Sequence, residues 1–413
     1  MERIVVRQPV FDRNQAVFGY KILILHQRHN SMESSACTES SLKEMESTFL
    51  LMGFERITRG KKAFVDLTAS LCAGETDIHL PQDLTVVEIS HCPEAGEALI
   101  GSCRELKEKG YVIAVGSAFP HHADFLPLMD LADIVKIPAN ETTAPFSGFL
   151  EAQRAKGKRF LAEKVDTRAQ LAHARDTGFD YFQGSFFSEP VIISGRDMPQ
   201  YDLTQLRLLH EVNKPSMRYG QIEAVIKQDV SLSYKLLKFI NSAFFGSRRE
   251  VSSIKQALTL MGENEIRRWT SLAVLAGLGK EKPAELVVAS LIRANFCELL
   301  AARTGLADKV HEAFMMGLFS TLDVFLGRPL KEIMQEMPLP EDIKLALCGK
   351  RSDFKKLLDL VRSYEAGDIR SFLNLASKLR IKEGTVTDLY LQSIDRAEDA
   401  LQLYGPQKAS LTG

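Results

Sequence analysis

Two hydrophobic patterns divide this chain. In the first half, short runs rich in Val, Ile and Phe recur: VVRQPVFDRNQAVFGYKILIL, AFVDLT, VVEIS, YVIAVGSAF, DIVKIPA, RFLAEKVDT and FDYFQGSFFSEP, with helix-like stretches between them. Strand-length apolar runs alternating with helices predict a parallel sheet wrapped by helices, here a TIM-like (β/α) barrel. Two of the helical stretches are Glu94–Lys109 and Arg168–Thr177, the latter with Asp166 and Thr167 as cap residues and Gly178 as its stop. From Tyr201 onward the β-branched runs vanish and helical spacing takes over, with Leu203, Leu206, Leu209 and His210 on one face, then Ile222, Val225 and Ile226 on another. The expected fold class is therefore α/β plus all-α. Turn formers and a proline in 194–200 read as a linker, which predicts a barrel domain over 1–194, a linker over 195–200 and a helical domain over 201–413. Ser31–Ser41, rich in Ser, Glu and Thr, reads as a loop insertion in the first domain.

Composition sharpens this picture mainly by exclusion. With 413 residues and 45% apolar content, the chain can bury two separate cores. A formal net charge of −1 supplies no global field toward nucleic acid or a membrane surface, and neither is expected as a partner. The six cysteines, Cys37, Cys72, Cys92, Cys103, Cys297 and Cys348, form no CxxC pair, which argues for reduced thiols and a cytoplasmic setting. MERIVVRQPV has no signal-peptide pattern. The longest apolar helix candidate, around Ala284–Ala302, is interrupted by Arg293, Asn295 and Glu298, so it reads as a buried soluble helix.

Barrel enzymes carry their chemistry at the carboxyl ends of the strands. The strand-end residues in 1–190 resemble an EAL domain, a family that hydrolyses cyclic di-GMP with divalent metals. The resemblance places Asp66 of AFVDLT at the family's metal-binding asparagine and Glu88 of VVEIS at a metal-binding glutamate. Lys136 of DIVKIP matches the family's lysine, Glu163 of RFLAEKVDT a glutamate, and Gln183-Gly184 the pair after the last strand. Departures are as informative. Lys21 replaces the signature glutamate, Leu25 an arginine, His91 a second glutamate and Pro138 an aspartate, while Gly116-Ser117-Ala118-Phe119 lacks the double aspartate. Lys164 replaces a glycine, and Asp166 shortens a glutamate. Two adjacent divalent cations need several hard oxygen ligands. The vacated carboxylates lead to the expectation that the chain is not an enzyme, with Asp66, Glu88, Lys136, Glu163 and Gln183 as a vestigial ligand site, no metal and no cofactor. Lys21 is expected to pair with Glu88 or Glu163.

The second half resembles an HDOD domain over 200–400. The residues that carry the likeness are the Asp229-to-Asn241-Ser242 run and the helix Ile254–Gly262. That family is related to the HD phosphohydrolases, and the metal-binding dipeptide of those enzymes corresponds here to Ser320-Thr321. His121, His122 and Asp124 read as surface residues, and His210 and His311 as partly buried helix positions. Arg248-Arg249 and Arg267-Arg268 lie beside Glu250, Glu263 and Glu265, a solvated face or a dock for an acidic partner rather than a nucleic-acid surface. Trp269 reads as core, and Phe244-Phe245-Gly246 as a packed loop or an interface anchor. The resulting expectation is a signal-transduction scaffold that contacts other signalling proteins. Cyclic di-GMP stays a candidate ligand, as a receptor's or a residual phosphodiesterase's, and homo-oligomerisation is compatible with the chain.

Overall fold

The structure is a computed structural model and describes residues 3–26, 41–90, 96–116, 126–139, 146–188, 203–214, 216–242, 251–278, 282–381 and 385–404. The expectations for 31–40, His91, Ser117–Phe119, His121, His122, Asp124, 195–200 and 243–250 lie outside the described residues. The chain forms two compact units, one of Met1–Glu189 with Glu365–Arg370, the other of Pro190–Tyr364 with Ser371–Gly413.

The first unit is a closed barrel of eight strands in sequence order. They are β1 (Arg3–Asp12), β2 (Val17–His26), β3 (Lys62–Asp66), β4 (Thr85–Ile89), β5 (Val112–Val115), β6 (Ile134–Pro138), β7 (Arg159–Glu163) and β8 (Tyr181–Gln183). The barrel is not wholly parallel, because β1 runs antiparallel to both β2 and β8. The cause is the short link between β1 and β2, which leaves no room for a crossover helix. Asp12 Oδ1 accepts hydrogen bonds from the backbone N–H groups of Asn14 and Ala16, closing that link as a turn. The other neighbouring strands are parallel.

One interior layer is apolar, built from Val10, Phe64, Val86, Ala114, Ile134, Leu161 and Tyr181, with Phe18 packed against it. Side chains in a strand alternate with period two, so residues two positions further along share that interior face. On β3, β4, β6, β7 and β8 those residues are Asp66, Glu88, Lys136, Glu163 and Gln183. Alternation thus places a polar layer directly above an apolar one, at the carboxyl ends of the strands.

Flanking elements fix these strand ends. The helix Arg168–Asp176 opens with a capping box in which the Thr167 side chain and Gln170 satisfy each other's backbone N–H groups. Glu97–Glu108 forms the helix expected from Glu94 to Lys109. Gly184 follows β8 where the chain passes so close to Val165 that a Cβ would strike the Val165 backbone.

In the second unit every regular element among the described residues is a helix. Asp229 caps the helix Val230–Ile240 through the N–H groups of Ser231 and Leu232. Asn241 then holds the backbone of Val251 from both sides, donating to its carbonyl at 2.8 Å and accepting from its N–H at 2.7 Å. The run Ile254–Leu278 is broken at Gly262, whose φ of 73° lies in the left-handed region that glycine tolerates. Trp269 is fully buried, and Ile222, Val225 and Ile226 form one buried face, as their spacing predicts. His210 is exposed instead; Leu208, Leu209 and Val212 carry the buried face of the helix Leu203–Val212. Arg268 departs from the expected solvated face. It donates to Glu298 at 2.9 Å and Asn295 at 2.6 Å and lies 4.4 Å from the ring centroid of Phe314, drawn inward by a carboxylate on the buried helix Ala284–Ala301. Arg267 pairs with Glu263 and donates to the Val212 carbonyl. Among the described residues no helix is long and apolar enough to cross a membrane.

Candidate functional site at the barrel end

Glu88 is the centre of the polar layer. Its Oε1 accepts from three donors: Lys136 Nζ at 2.5 Å, Lys21 Nζ at 2.7 Å and Ser90 Oγ at 2.9 Å. Lys136 also contacts Glu163 Oε1 at 2.7 Å, so a continuous ion chain runs Lys21–Glu88–Lys136–Glu163 across β2, β4, β6 and β7. Glu88 and Lys136 are buried, whereas Lys21 and Glu163, the two ends of the chain, keep 18% and 23% of their side chains exposed. Of the two partners open to Lys21 on sequence grounds, the structure selects Glu88.

Burial alone would raise the pKa of Glu88, but Lys136 and Lys21 outweigh it and hold the carboxyl at about 2. Lys136 has the mirror-image balance. Burial lowers its pKa, and Glu88 and Glu163 more than reverse that, keeping it an ammonium well above the usual lysine range. It serves as fixed charge and not as a base. One lone carboxylate oxygen is left over: Glu88 Oε2 is buried without a protein partner, as is Gln183 Oε1 in the same layer. The Gln183 amide donates to Gln8 Oε1 at 3.0 Å, tying β8 to β1.

The remaining sequence-flagged groups have local duties. Asp66 Oδ1 accepts from the N–H and hydroxyl of Thr68, starting the helix Thr68–Cys72, and so is not joined to the ion chain. Asp166 accepts from the N–H and hydroxyl of Ser185. Lys164 adopts a positive φ of 52°, the backbone setting where the resembled family has glycine. Pro138 ends β6 opposite Glu163.

This donor set does not fit a pair of divalent cations. Among the described residues no group of three His, Cys, Asp or Glu is placed to hold a metal. The oxygen of Glu88 that faces its neighbours is already taken by two ammonium groups, and a cation brought beside it would meet their repulsion.

In the helical unit, Ser320 and Thr321 are buried. Ser320 Oγ accepts from Arg293 at 2.9 Å and donates to the Gly317 carbonyl, and Thr321 Oγ1 shares a 2.6 Å hydrogen bond with Ser290. Two hydroxyls thus occupy the HD-like position and are absorbed into helix packing. The sequence did not announce the Arg268–Glu298–Arg396 cluster, in which Arg396 donates to Glu298 at 3.2 Å. A buried-helix glutamate was its only signal.

Comparison with known proteins agrees with this architecture. Residues 198–337 match the HDOD domain family. YuxH of Bacillus subtilis is 34% identical over 96% of this chain and 98% of its own length. A Vibrio cholerae protein named cyclic di-GMP phosphodiesterase CdgJ is 31% identical over 88% of this chain and 85% of its own. The crystal structure of the Bacillus subtilis YkuI protein, with an EAL domain, shares 17% identity over 65% of this chain and 72% of that one, with a TM-score of 0.37. The expectation that the chain is not an enzyme is overturned by its likeness to the Vibrio protein, which bears a phosphodiesterase's name. Its physical weakness was to test one pattern of strand-end carboxylates, whereas barrel sites also draw on the loops that follow the strands. The chain, matched along nearly its full length by these relatives, belongs to the family of EAL–HDOD signalling proteins.

Proposed function

We propose that this chain acts in cyclic di-GMP signalling, receiving the nucleotide at the carboxyl end of the barrel around Asp66, Glu88, Lys136, Glu163 and Gln183. Phosphodiester cleavage is the activity to be measured there. The observation that carries this reading is the 31% identity, along 88% of the chain, to a protein named for cyclic di-GMP hydrolysis. The geometry supports it in kind. Lys21, whose side chain is partly exposed, brings an ammonium to Glu88 at the end of β4, where an anionic phosphodiester would be met by charge-assisted hydrogen bonds. Residual acceptors on Glu88 and Gln183 suit ligand N–H donors, which a guanine edge supplies.

The test combines calorimetry of cyclic di-GMP binding with chromatography of the linear dinucleotide product, each with Mn²⁺ and with chelator. Binding or turnover lost in Glu88→Gln is the expected result. A folded chain giving neither heat nor product under any condition would remove the reading.

Contact with other signalling proteins belongs to the helical half in this proposal. Its support is the pair Val230 and Tyr234, 85% and 64% exposed and one turn apart on a helix whose other face is buried. Loss of cross-links to a defined partner in Val230→Ser with Tyr234→Ser is its check.

A further inference from the structure

The polar layer contains a cation of its own. Lys21 Nζ lies 2.7 Å from Glu88 Oε1, at the open end of an ion chain whose inner members are buried. The position matters because β2 pairs with β3 in a register that sets Lys21 beside Phe64, one turn of the alternation below Asp66. The lysine stem therefore starts one layer below Asp66 and carries its charge to the carboxylate of Glu88. Lys136 reaches the same oxygen. Glu88 Oε2 remains buried and unpartnered, as does Gln183 Oε1, so the layer keeps acceptor capacity that the protein itself does not use. Buried polar atoms without partners mark places where a ligand or water completes the set.

We infer that the Lys21 ammonium takes the place of a divalent cation beside Glu88, so that ligand capture at this barrel end is independent of divalent metal and Lys21 is the residue that sets this. This deepens the reading above, on which it rests only for the identity of the ligand. Electrostatics give the reason. A tethered monovalent charge beside a carboxylate neutralises it without the several oxygen ligands that a divalent ion demands. Binding by such a site responds to loss of the lysine and not to chelation. Exchange of Lys21 for a carboxylate reverses the local charge and brings a second hard oxygen donor next to Glu88, the beginning of a divalent site.

The experiment uses the full chain. Mn²⁺ binding is followed by the electron paramagnetic resonance signal of the free ion, and thermal unfolding by scanning calorimetry with Mn²⁺ or with chelator. The native chain is expected to show no saturable Mn²⁺ uptake and the same melting temperature in both. Lys21→Glu is expected to take up Mn²⁺ saturably and to melt higher in its presence. Cyclic di-GMP affinity of the native chain is expected to agree within about twofold between Mn²⁺ and chelator, and to fall about tenfold or more in Lys21→Met. Saturable Mn²⁺ uptake by the native chain that is lost in Glu88→Gln overturns the inference, as does a tenfold loss of nucleotide affinity on chelation. The native-chain measurements decide the matter even where Lys21→Glu does not fold. Absence of nucleotide binding in both media, with Mn²⁺ uptake gained by Lys21→Glu, removes the cyclic di-GMP reading and leaves the tethered cation supported.

Discussion

Replacing Lys136 by methionine tests the energetics of the polar layer most directly. The substitution keeps the stem that packs in the barrel and removes only the ammonium. Lys136 contacts Glu88 at 2.5 Å and Glu163 at 2.7 Å, and the Lys136 and Glu88 side chains are each 1% exposed. At an effective dielectric of roughly 20, each contact contributes about 6 kcal/mol of attraction. Taking both ions out of water offsets most of that, at several kcal/mol per ion. The pair's net contribution is thus small, yet breaking it is costly because Glu88 stays buried with its charge. Removing one partner of a buried pair costs about 3–5 kcal/mol. Lys21 still reaches Glu88, so the lower end of that range is expected here. Hydrogen exchange of peptides covering Ile134–Pro138 and Thr85–Ile89 reads the opening free energy of the barrel without interference from the helical unit. The exposed pair Lys156–Asp130 provides the control, and Lys156→Met should shift the same amides by less than about 1 kcal/mol. Adding Glu88→Leu to Lys136→Met should recover most of the loss, since no buried charge is then left alone. A loss below about 1 kcal/mol in Lys136→Met, or no recovery in the double variant, would refute the account of a buried pair held by mutual neutralisation.

Three further outcomes follow from the structure. Because Glu88 titrates near 2 in the fold against an ordinary 4.5, its contribution to stability is complete above pH 4.5 and is lost as the pH falls toward 2. Acid unfolding of Glu88→Gln should therefore lack that part of the native curve, and parallel curves would contradict the assignment. An added Cβ at Gly317 would sit 2.7 Å from both Ala294 Cα and the Arg293 carbonyl, backbone atoms that cannot swing away, so Gly317→Ala should destabilise the helical unit by about 1–3 kcal/mol. Urea unfolding followed by the fluorescence of Trp269, the one tryptophan, measures it. Burial pushes the Cys103 thiol up to about 12, with Cys72 nearby adding to it, while Cys72 is itself exposed. Alkylation of the native protein at neutral pH, read by mass spectrometry, should modify Cys72 and spare Cys103.

The shared layer of the candidate site residues is legible in the sequence because a strand has only two faces. Asp66, Glu88, Lys136, Glu163 and Gln183 each lie two positions beyond an apolar layer residue, and the resemblance to EAL domains named the same positions. The reading went astray where it turned a count of carboxylates into absence of activity. It also went astray at Arg268 and at His210. Helical spacing locates a face but does not say which neighbour covers it, and Glu298, thirty positions from Arg268, decided the first case.

The sequence alone determined the division into a strand-and-helix half and a helical half, the capped start at Asp166-Thr167 and the buried face of Ile222, Val225 and Ile226. These depend on neighbours a few residues apart, where propensity and period act directly. Tertiary structure alone decided that β1 runs against its neighbours and that Lys21, Glu88, Lys136 and Glu163 form one chain of charge. Lys21 and Glu88 are 67 residues apart and Glu88 and Lys136 are 48 apart, and they meet only because strand register and barrel closure bring β2, β4, β6 and β7 around one interior. Which carboxylate an ammonium neutralises is a matter of distance in space, and no periodicity along the chain encodes it.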